Sequence, residues 1–185
     1  MPEFHDRQLV ETFVDRIEIN PDTKTGVVHL MADRPDETQR MVHQLESVEN
    51  IMAVELGFAP LLADDIILLA VELAASEIPI IVNLPWEQVL RLGPQVLAAG
   101  AEAVSLAAPR GALPADNGGT LTGRLFGPAL FAQALLLTRE AVRAGIPLIG
   151  GGGVYSKENA SAMLEAGALA VQVDAALWRG KLTPG

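Results

Sequence analysis

Short apolar, β-branched runs alternate along the chain with longer segments whose apolar residues recur at helical spacing. The runs start 24, 28, 24, 43 and 24 residues apart. This is the spacing of strand–helix–strand units, in which parallel strands need a crossover of a dozen residues or more. Six strands are predicted: Val27–Met31, Ile51–Leu56, Pro79–Leu84, Ala103–Ala107, Ile146–Gly150 and Ala170–Val173. We therefore expect an α/β fold built on about six parallel strands.

The segments between these strands carry recognisable helix ends. Helices are predicted over Asp36–Ser47, from an N-cap at Asp64 or Asp65 to about Ala75, from about Gly127 to Ala144, and from Ser156 to Gly167. Gly167 is expected to end its helix in the left-handed conformation. The junctions Ala99–Val104 and Ala166–Val171 are near copies. Each indicates a helix, a glycine and then a buried strand, so one structural unit recurs.

Two segments depart from this rhythm. Phe13–Ile19 alternates and is followed by a turn at Asn20-Pro21-Asp22, which predicts a β-hairpin in residues 1–26 ahead of a partial barrel in residues 27–185 of a single domain. The connection Ala108–Phe126 is long and rich in Gly and Pro. Long loops after strands of this fold class often act as lids over a site, the alternative here being a plain surface insertion.

Composition limits the function classes. Half of the 185 residues are hydrophobic and 19% are charged, as in a globular domain. The chain has no Cys, which excludes disulfides, a thiol nucleophile and thiolate metal sites. A net charge of −10 argues against binding to nucleic acid or to an anionic membrane, because those surfaces repel an acidic protein.

Charge and hydropathy also bear on ligand and compartment. Residues 1–90 carry 17 acids and 5 bases, whereas residues 91–185 carry 6 acids and 8 bases. An anionic ligand is therefore expected on the second half. The start of the chain lacks the pattern of a signal peptide, and the longest apolar run, Ile66–Ala75, is too short to span a bilayer. We expect a cytoplasmic protein.

The strongest local signal is a run of four glycines, Gly150 to Gly153, which we call the glycine loop. It lies between a predicted strand and a predicted helix. Glycines there let backbone N–H groups approach an anion, and the dipole of the following helix adds attraction. The spacing differs from the dinucleotide-binding fingerprint. The loop therefore predicts either a phosphate site or a set of tight-turn glycines.

Other candidates for chemistry are weaker. The three histidines, His5, His29 and His43, lack metal-ligand spacing and are expected to be solvated or locally bonded, so no metal site is predicted. The Asp64-Asp65 pair suits a helix cap better than acid–base catalysis. Trp86 follows the third strand at a place where it could contact a ligand or simply fill the end of the barrel.

Several segments resemble the C-terminal half of dihydroorotate dehydrogenases and related FMN-dependent barrels. They are Gly118-Gly119 with Leu121-Thr122-Gly123, then Ile146–Ser156, then Glu165–Val173. Upstream, Ala53–Leu56 is similar to the family's fourth strand, Pro79–Leu84 to its fifth and Gly100–Ala103 to the approach to its sixth. The likeness covers about residues 27–177 and is strongest for residues 118–177.

The resemblance implies an incomplete TIM-type (β/α) barrel with FMN over its open end. The family's phosphate-binding positions map to Gly152, Gly153 and the adjoining Gly151, and to Asp174 and Ala175. Substrate is implied near Gly119, Thr122 and Gly123, and Asn83 stands where a flavin-contacting lysine is usual. The implied chemistry is hydride transfer from dihydroorotate or a similar pyrimidine to FMN.

The same comparison shows departures from the family pattern. Asn83 replaces the lysine, Ala108-Pro109 replaces an Asn-Thr pair, and Gly57 replaces an asparagine. Phe58-Ala59-Pro60 stands where a Ser or Cys base is usual, and the Asp174 carboxylate would repel a phosphate at 4 Å by about 1–4 kcal/mol. We assign no catalytic residue and expect weakened or lost catalysis. The alternative is a non-catalytic phosphate-binding or regulatory paralog; a phosphate-binding lyase or isomerase is a third hypothesis.

Length adds an expectation about partners. A closed eight-stranded barrel takes about 250 residues. Six strands leave sheet edges that the hairpin, a second copy or another subunit must cover. We therefore expect a homo-oligomer or a partner subunit.

Overall fold

The computed structural model describes residues 14–19, 22–23, 25–116 and 118–173. The strands are β1 (Val14–Ile19), β2 (Gly26–Met31), β3 (Ile51–Gly57), β4 (Ile80–Leu84), β5 (Ala103–Leu106), β6 (Arg110–Pro114), β7 (Thr120–Arg124), β8 (Leu148–Gly150) and β9 (Ala170–Val171). The helices are α1 (Pro35–Leu45), α2 (Asp64–Ala74), α3 (Trp86–Ala98), α4 (Phe131–Arg143), which a 3₁₀ turn at Pro128–Leu130 precedes, and α5 (Lys157–Glu165).

The order of strands in the main sheet follows the order in the chain. The sheet runs β1-β2-β3-β4-β5-β8-β9, and β6 pairs only with β7. The six strands from β2 onward are parallel, whereas β1 is antiparallel to β2. Sequential parallel strands joined by helices are the topology of a (β/α) barrel, since a doubly wound sheet reverses its strand order. The predicted α/β fold with incomplete TIM-type barrel topology is confirmed.

An N-terminal hairpin is present, but its second strand extends beyond residues 1–26, where the sequence predicted it. β1 pairs with β2 from Ile19 opposite Gly26 to Val14 opposite Leu30, with one register shift between Val14 and Arg16. The second strand of this hairpin is β2, which is also the first parallel strand. β2 therefore belongs both to the hairpin and to the parallel sheet, and the hairpin adds β1 next to it in that sheet.

The chain forms two compact units, of which the first contains residues 1–83 and 94–103. Apolar side chains occupy every second position of its strands, so they share one face of the sheet. Register pairs Val28 with Val54 and Leu30 with Leu56, and all four side chains are buried. Val54 and Leu56 pair in turn with buried residues of β4. This face is the core of the first unit.

The other face of the same strands carries a buried polar pair. His29 of β2 and Glu55 of β3 are register partners, 5% and 4% exposed, and His29 Nδ1 is hydrogen-bonded to Glu55 Oε2. The expectation of a solvated or locally bonded histidine is therefore wrong for His29. His43 is exposed and bonds Glu46 three residues away, as expected, and His5 lies outside the described residues.

The second unit contains residues 84–93 and 104–185. Two strand pairings, β5 with β8 and β8 with β9, carry its part of the main sheet, with Val104 opposite Leu148 and Ile149 opposite Ala170. At the end of α5, the N–H of Gly167 bonds the carbonyl of Leu164 and the N–H of Ala168 bonds that of Met163. These two bonds form a Schellman motif, and Gly167 has φ of 100°, as predicted.

The same two bonds end α3 at Gly100, which confirms the repeated unit seen in the sequence. There the Gly100 N–H bonds Leu97 O and the Ala101 N–H bonds Val96 O. A third copy, at Gly145 after α4, has the same pattern but no matching sequence repeat. Three helices thus end alike. The strands after Gly100 and Gly145 are largely buried, whereas β9 after Gly167 is exposed at Ala170 and half-buried at Val171, so the prediction of a buried strand is wrong there.

Two local predictions need correction. Neither Asp64 nor Asp65 is the N-cap of α2, because the helix already begins at Asp64 and Ala63 occupies the cap position. Both carboxylates lie in the first turn, where the helix dipole favours them, and Asp65 Oδ1 accepts the N–H of Ile66 at 3.0 Å. The long connection Ala108–Phe126 contains the regular hairpin β6–β7, which the high content of Gly and Pro concealed.

The buried His29–Glu55 pair should contribute far more to stability than the exposed pair on α1. Glu55→Ala leaves a buried histidine without its carboxylate, and we expect the free energy of unfolding to fall by about 3–5 kcal/mol. The matched control, Glu46→Ala, removes the exposed partner of His43 and should cost about 0–1 kcal/mol. Urea unfolding of both variants checks this, and equal losses would contradict the assignment.

Candidate functional site

The glycine loop lies in the second unit at the carboxyl end of a parallel strand. Gly150 is the last residue of β8, and α5 begins at Lys157. β8 lies between β5 and β9 in the sheet, so the loop leaves from an interior strand. In barrels and open α/β sheets ligands bind at this end of the strands. The loop is therefore at the end of the strands where folds of this class place their ligands.

Successive backbone N–H groups of the loop lack an acceptor. In the part of the chain that the structure describes, the N–H groups of Gly151, Gly152, Gly153 and Val154 donate no hydrogen bond. Gly151, Gly153 and Val154 are buried and Gly152 is half-buried. Buried N–H groups almost always have a partner in native proteins, supplied by protein, water or ligand. Three buried residues and one half-buried residue in a row whose N–H groups lack a partner indicate a place for an external acceptor.

The glycines are required by the packing of the chain on itself. A Cβ on Gly152 would lie 2.7 Å from Trp86 Cζ2, and one on Gly153 would lie 2.5 Å from the backbone N of Phe131 and 2.9 Å from Gly127 O. Both residues also have positive φ, 100° and 72°. The turn-glycine interpretation and the anion-site interpretation are therefore compatible: tight packing holds the loop, and its N–H groups are left without acceptors.

The first turn of α5 is already satisfied by its own side chains. Ser156 Oγ accepts the N–H of Asn159 at 3.3 Å, as predicted for a cap, and Asn159 Oδ1 accepts the N–H of Tyr155 at 3.2 Å. The hydrogen bond with Ser156 is the main cause that lowers the pKa of the exposed Glu158 carboxyl below its usual value. Glu158 thus stays ionised beside the helix start. The glycine loop thus offers free N–H donors to an anion, whereas the Glu158 carboxylate at this turn would repel it.

The donor set of the glycine loop fits the phosphate of FMN. Phosphate oxygens accept several hydrogen bonds, and successive backbone N–H groups form a known concave anion site. Gly151, Gly152 and Gly153 would hold the phosphate.

The remaining predicted residues belong to other elements of the chain. Asn83 is a half-buried residue of β4 in the first unit. Thr122 and Gly123 are exposed on β7, opposite Ala112 and Gly111 of β6, and Gly119 precedes that strand. Asp174 and Ala175 lie outside the described residues.

Sequence reasoning missed two features of the site region and its surroundings. The packing of Trp86 against Gly152 was not predicted, since the two alternatives for Trp86 were contact with a ligand and filling the end of the barrel. The position of a tryptophan just after a strand end is the signal for it. The His29–Glu55 pair has a clearer signal. Both residues stand between two apolar residues in neighbouring strands, as Val-His-Leu and Val-Glu-Leu.

Two other kinds of site were sought in the described residues. These residues contain no group of three or more His, Cys, Asp or Glu side chains placed to hold a metal ion. Among the described helices, none has the length and apolar character needed to cross a bilayer.

Comparison with known proteins gives both sequence and fold relatives. The catalytic subunit of dihydroorotate dehydrogenase B (NAD(+)) from Thermodesulfovibrio yellowstonii is 51% identical over 59 residues, 31% of this chain and 20% of the relative. The ligand-free DHODH of Eimeria tenella matches with a TM-score of 0.60 at 15% identity, over 79% of this chain and 52% of that one. The chain has a dihydroorotate-dehydrogenase-like fold. No protein-family model matches it.

Two further structures support the dihydroorotate-dehydrogenase-like fold. The Eimeria tenella DHODH in complex with ferulenol gives a TM-score of 0.59 at 14% identity, covering 77% of this chain and 50% of that one. The Amycolatopsis orientalis BexX/CysO complex gives a TM-score of 0.53 at 20% identity, covering 84% of this chain and 59% of that one. These likenesses, at 14% to 20% identity, show the fold alone. The chain spans a fifth of the curated relative and about half of the first solved structures.

The packing of the glycine loop can be tested with two glycines that share a backbone conformation. Gly153→Ala places a methyl group against the backbone of Phe131 and Gly127, and we expect unfolding free energy to fall by about 2–4 kcal/mol from strain and overpacking. Gly118 also has positive φ, but a Cβ there meets nothing within 4 Å, so Gly118→Ala should cost only about 1 kcal/mol. Thermal and urea unfolding of both variants give the comparison. Equal costs would mean that the contacts of Gly153 are not tight.

Proposed function

We propose that this chain binds a phosphate-bearing ligand, FMN in the first instance, through the glycine loop, and that it oxidises dihydroorotate weakly or not at all. The observation that carries the proposal is the row of four unpaired N–H groups from Gly151 to Val154 at the end of β8. The dihydroorotate-dehydrogenase-like fold supports FMN as the ligand. Bound FMN would supply the hydride acceptor for such a reaction.

The charge distribution agrees with an anionic ligand at this loop. The half of the chain that contains the loop carries a small excess of bases, whereas residues 1–90 carry a large excess of acids. The loop itself contains only glycines, so its attraction for phosphate comes from N–H dipoles. Such fixed dipoles need no counter-ion and no proton exchange.

The proposal of weak turnover comes from the residues that stand where the resemblance places catalytic groups. β3 ends at Gly57, and the following Phe58, Ala59 and Pro60 have no side chain that could take a proton. Asn83 offers no positive charge at the end of β4, so a reduced, anionic flavin would lack that stabilisation. Ala108-Pro109 after β5 has no side-chain donor for a substrate.

Phosphate recognition and turnover can be measured separately. Titration with FMN and with riboflavin, followed by isothermal calorimetry, should show FMN binding at least tenfold more tightly, because only FMN presents a phosphate to the loop. Equal affinity, or no binding of either, would contradict the proposal. Anaerobic addition of dihydroorotate to the FMN-loaded protein should leave the flavin absorbance almost unchanged. Rapid bleaching would show that catalysis is intact.

We also propose that a second copy of this chain covers apolar surface on the β6–β7 hairpin. Leu113 and Leu121 are cross-strand neighbours, each 64% exposed, and Phe126 beyond the hairpin is 55% exposed. Adjoining exposed apolar side chains of this size usually mark an interaction surface. The main sheet also ends at the strands β1 and β9, which offer edges for pairing.

Light scattering tests this second proposal. We expect a dimer at micromolar concentration and a shift to monomer in Leu121→Lys, because a charge replaces an apolar contact. Leu69→Lys, at an exposed leucine of α2, is the matched control and should remain dimeric. A monomeric parent protein, or a dimer that survives Leu121→Lys, would contradict it.

A further inference from the structure

Trp86 is the one side chain packed on the glycine loop that has an unused donor. It is the first residue of α3 and is 8% exposed, yet its Nε1 is buried without an acceptor in the described part of the chain. Buried tryptophans usually find a partner for this N–H. An orphaned donor of this kind points to a group outside the described chain.

The indole lies with one edge against the loop. The position of a Cβ on Gly152 is 2.7 Å from Trp86 Cζ2 and 3.5 Å from Cη2, so this side of the six-membered ring faces Gly152. Cζ2 is bonded to Cε2, the carbon that carries Nε1. The indole nitrogen is therefore two bonds away from the ring atom that lies nearest to Gly152.

We propose that Trp86 is a specificity-determining residue of the ligand site, its indole N–H donating to a phosphate oxygen beside the N–H groups of Gly151 to Val154. This inference rests on the proposed binding of phosphate by the glycine loop and adds a donor from a different element. Trp86 is also the first residue of α3, so it stands at the positive end of the dipole of that helix. Two elements, the loop after β8 and the helix after β4, thus share one ligand group.

The chemistry of the donors defines the ligand class. An indole N–H and a backbone N–H can donate but cannot accept, so this set matches a group that offers several acceptor oxygens. A phosphate monoester does so, whereas an ammonium group or a lone hydroxyl does not. Trp86 would also favour a phosphate over a planar carboxylate, because donors from two elements require oxygens that point in more than two directions.

The deciding variant is Trp86→Phe, which retains a six-membered aromatic ring and removes the five-membered ring that carries the N–H. We expect its dissociation constants for FMN and for inorganic phosphate to rise by about ten- to a hundredfold, the range for one hydrogen bond to a charged group. Its melting temperature without ligand should stay level or rise, because an unsatisfied buried donor has been removed. A purely structural tryptophan would give the opposite result: a lower melting temperature and unchanged ligand affinity.

The outcomes separate this inference from the proposed function. If the parent protein binds FMN and phosphate and Trp86→Phe binds them equally well, the inference about Trp86 fails and the glycine-loop site stands. If the parent protein binds neither, both fail together. If Trp86→Phe binds both ligands more weakly while retaining its melting temperature, both are supported.

A fluorescence measurement covers the case in which Trp86→Phe does not fold. Trp178 is the only other tryptophan of the chain, so Trp178→Phe makes Trp86 the sole indole emitter. Addition of inorganic phosphate, which does not absorb the emission, should shift or quench this emission with saturation. Emission that is insensitive to phosphate, at concentrations that calorimetry shows to be saturating, would overturn the proposal.

Discussion

The organisation of the second unit depends on one constraint, the need of buried backbone N–H groups for acceptors. Strands and helices satisfy most of them, and the Schellman bonds at Gly167 satisfy two more where α5 turns into β9. The glycine loop is the exception, with four such groups in a row. The rest of the second unit holds this exception in place, since Trp86, Gly127 and Phe131 all pack where a side chain would otherwise be.

A glycine-rich loop can be explained by tight packing or by the binding of an anion, and in this loop the two explanations are compatible. Close packing on one side of Gly152 and Gly153 holds the backbone, both residues have positive φ, and successive N–H groups of this segment have no acceptor. A site made in this way needs no charged side chain, which suits a protein with a net charge of −10. It also leaves the chemistry of any bound group to other residues. At the positions where the resemblance places catalytic groups, this chain has different side chains, for example Asn83 in place of a lysine.

Much of the fold could be predicted from the sequence because it depends on patterns among residues that are close in the chain. Strand spacing and repeated helix–glycine–strand junctions specify parallel strands in chain order, and Ser156 caps α5 as its sequence position suggests. Contacts between distant segments could not be predicted in this way. The burial of His29 against Glu55 needs the register of two strands, and the contact of Trp86 with Gly152 needs the tertiary packing of α3. Glycine and proline in residues 108–126 suggested a loop, yet cross-strand pairing made a hairpin there.

The central claim is that the N–H groups of Gly151, Gly152, Gly153 and Val154 bind phosphate together. Amide NMR of ¹⁵N-labelled protein during titration with inorganic phosphate and then with FMN tests it most directly. The account predicts that these four resonances shift in parallel and saturate with one dissociation constant, while the resonances of Gly118 and Gly123 on the exposed hairpin stay in place. Shifts confined to other residues, or no saturable shift in the glycine loop, would contradict it.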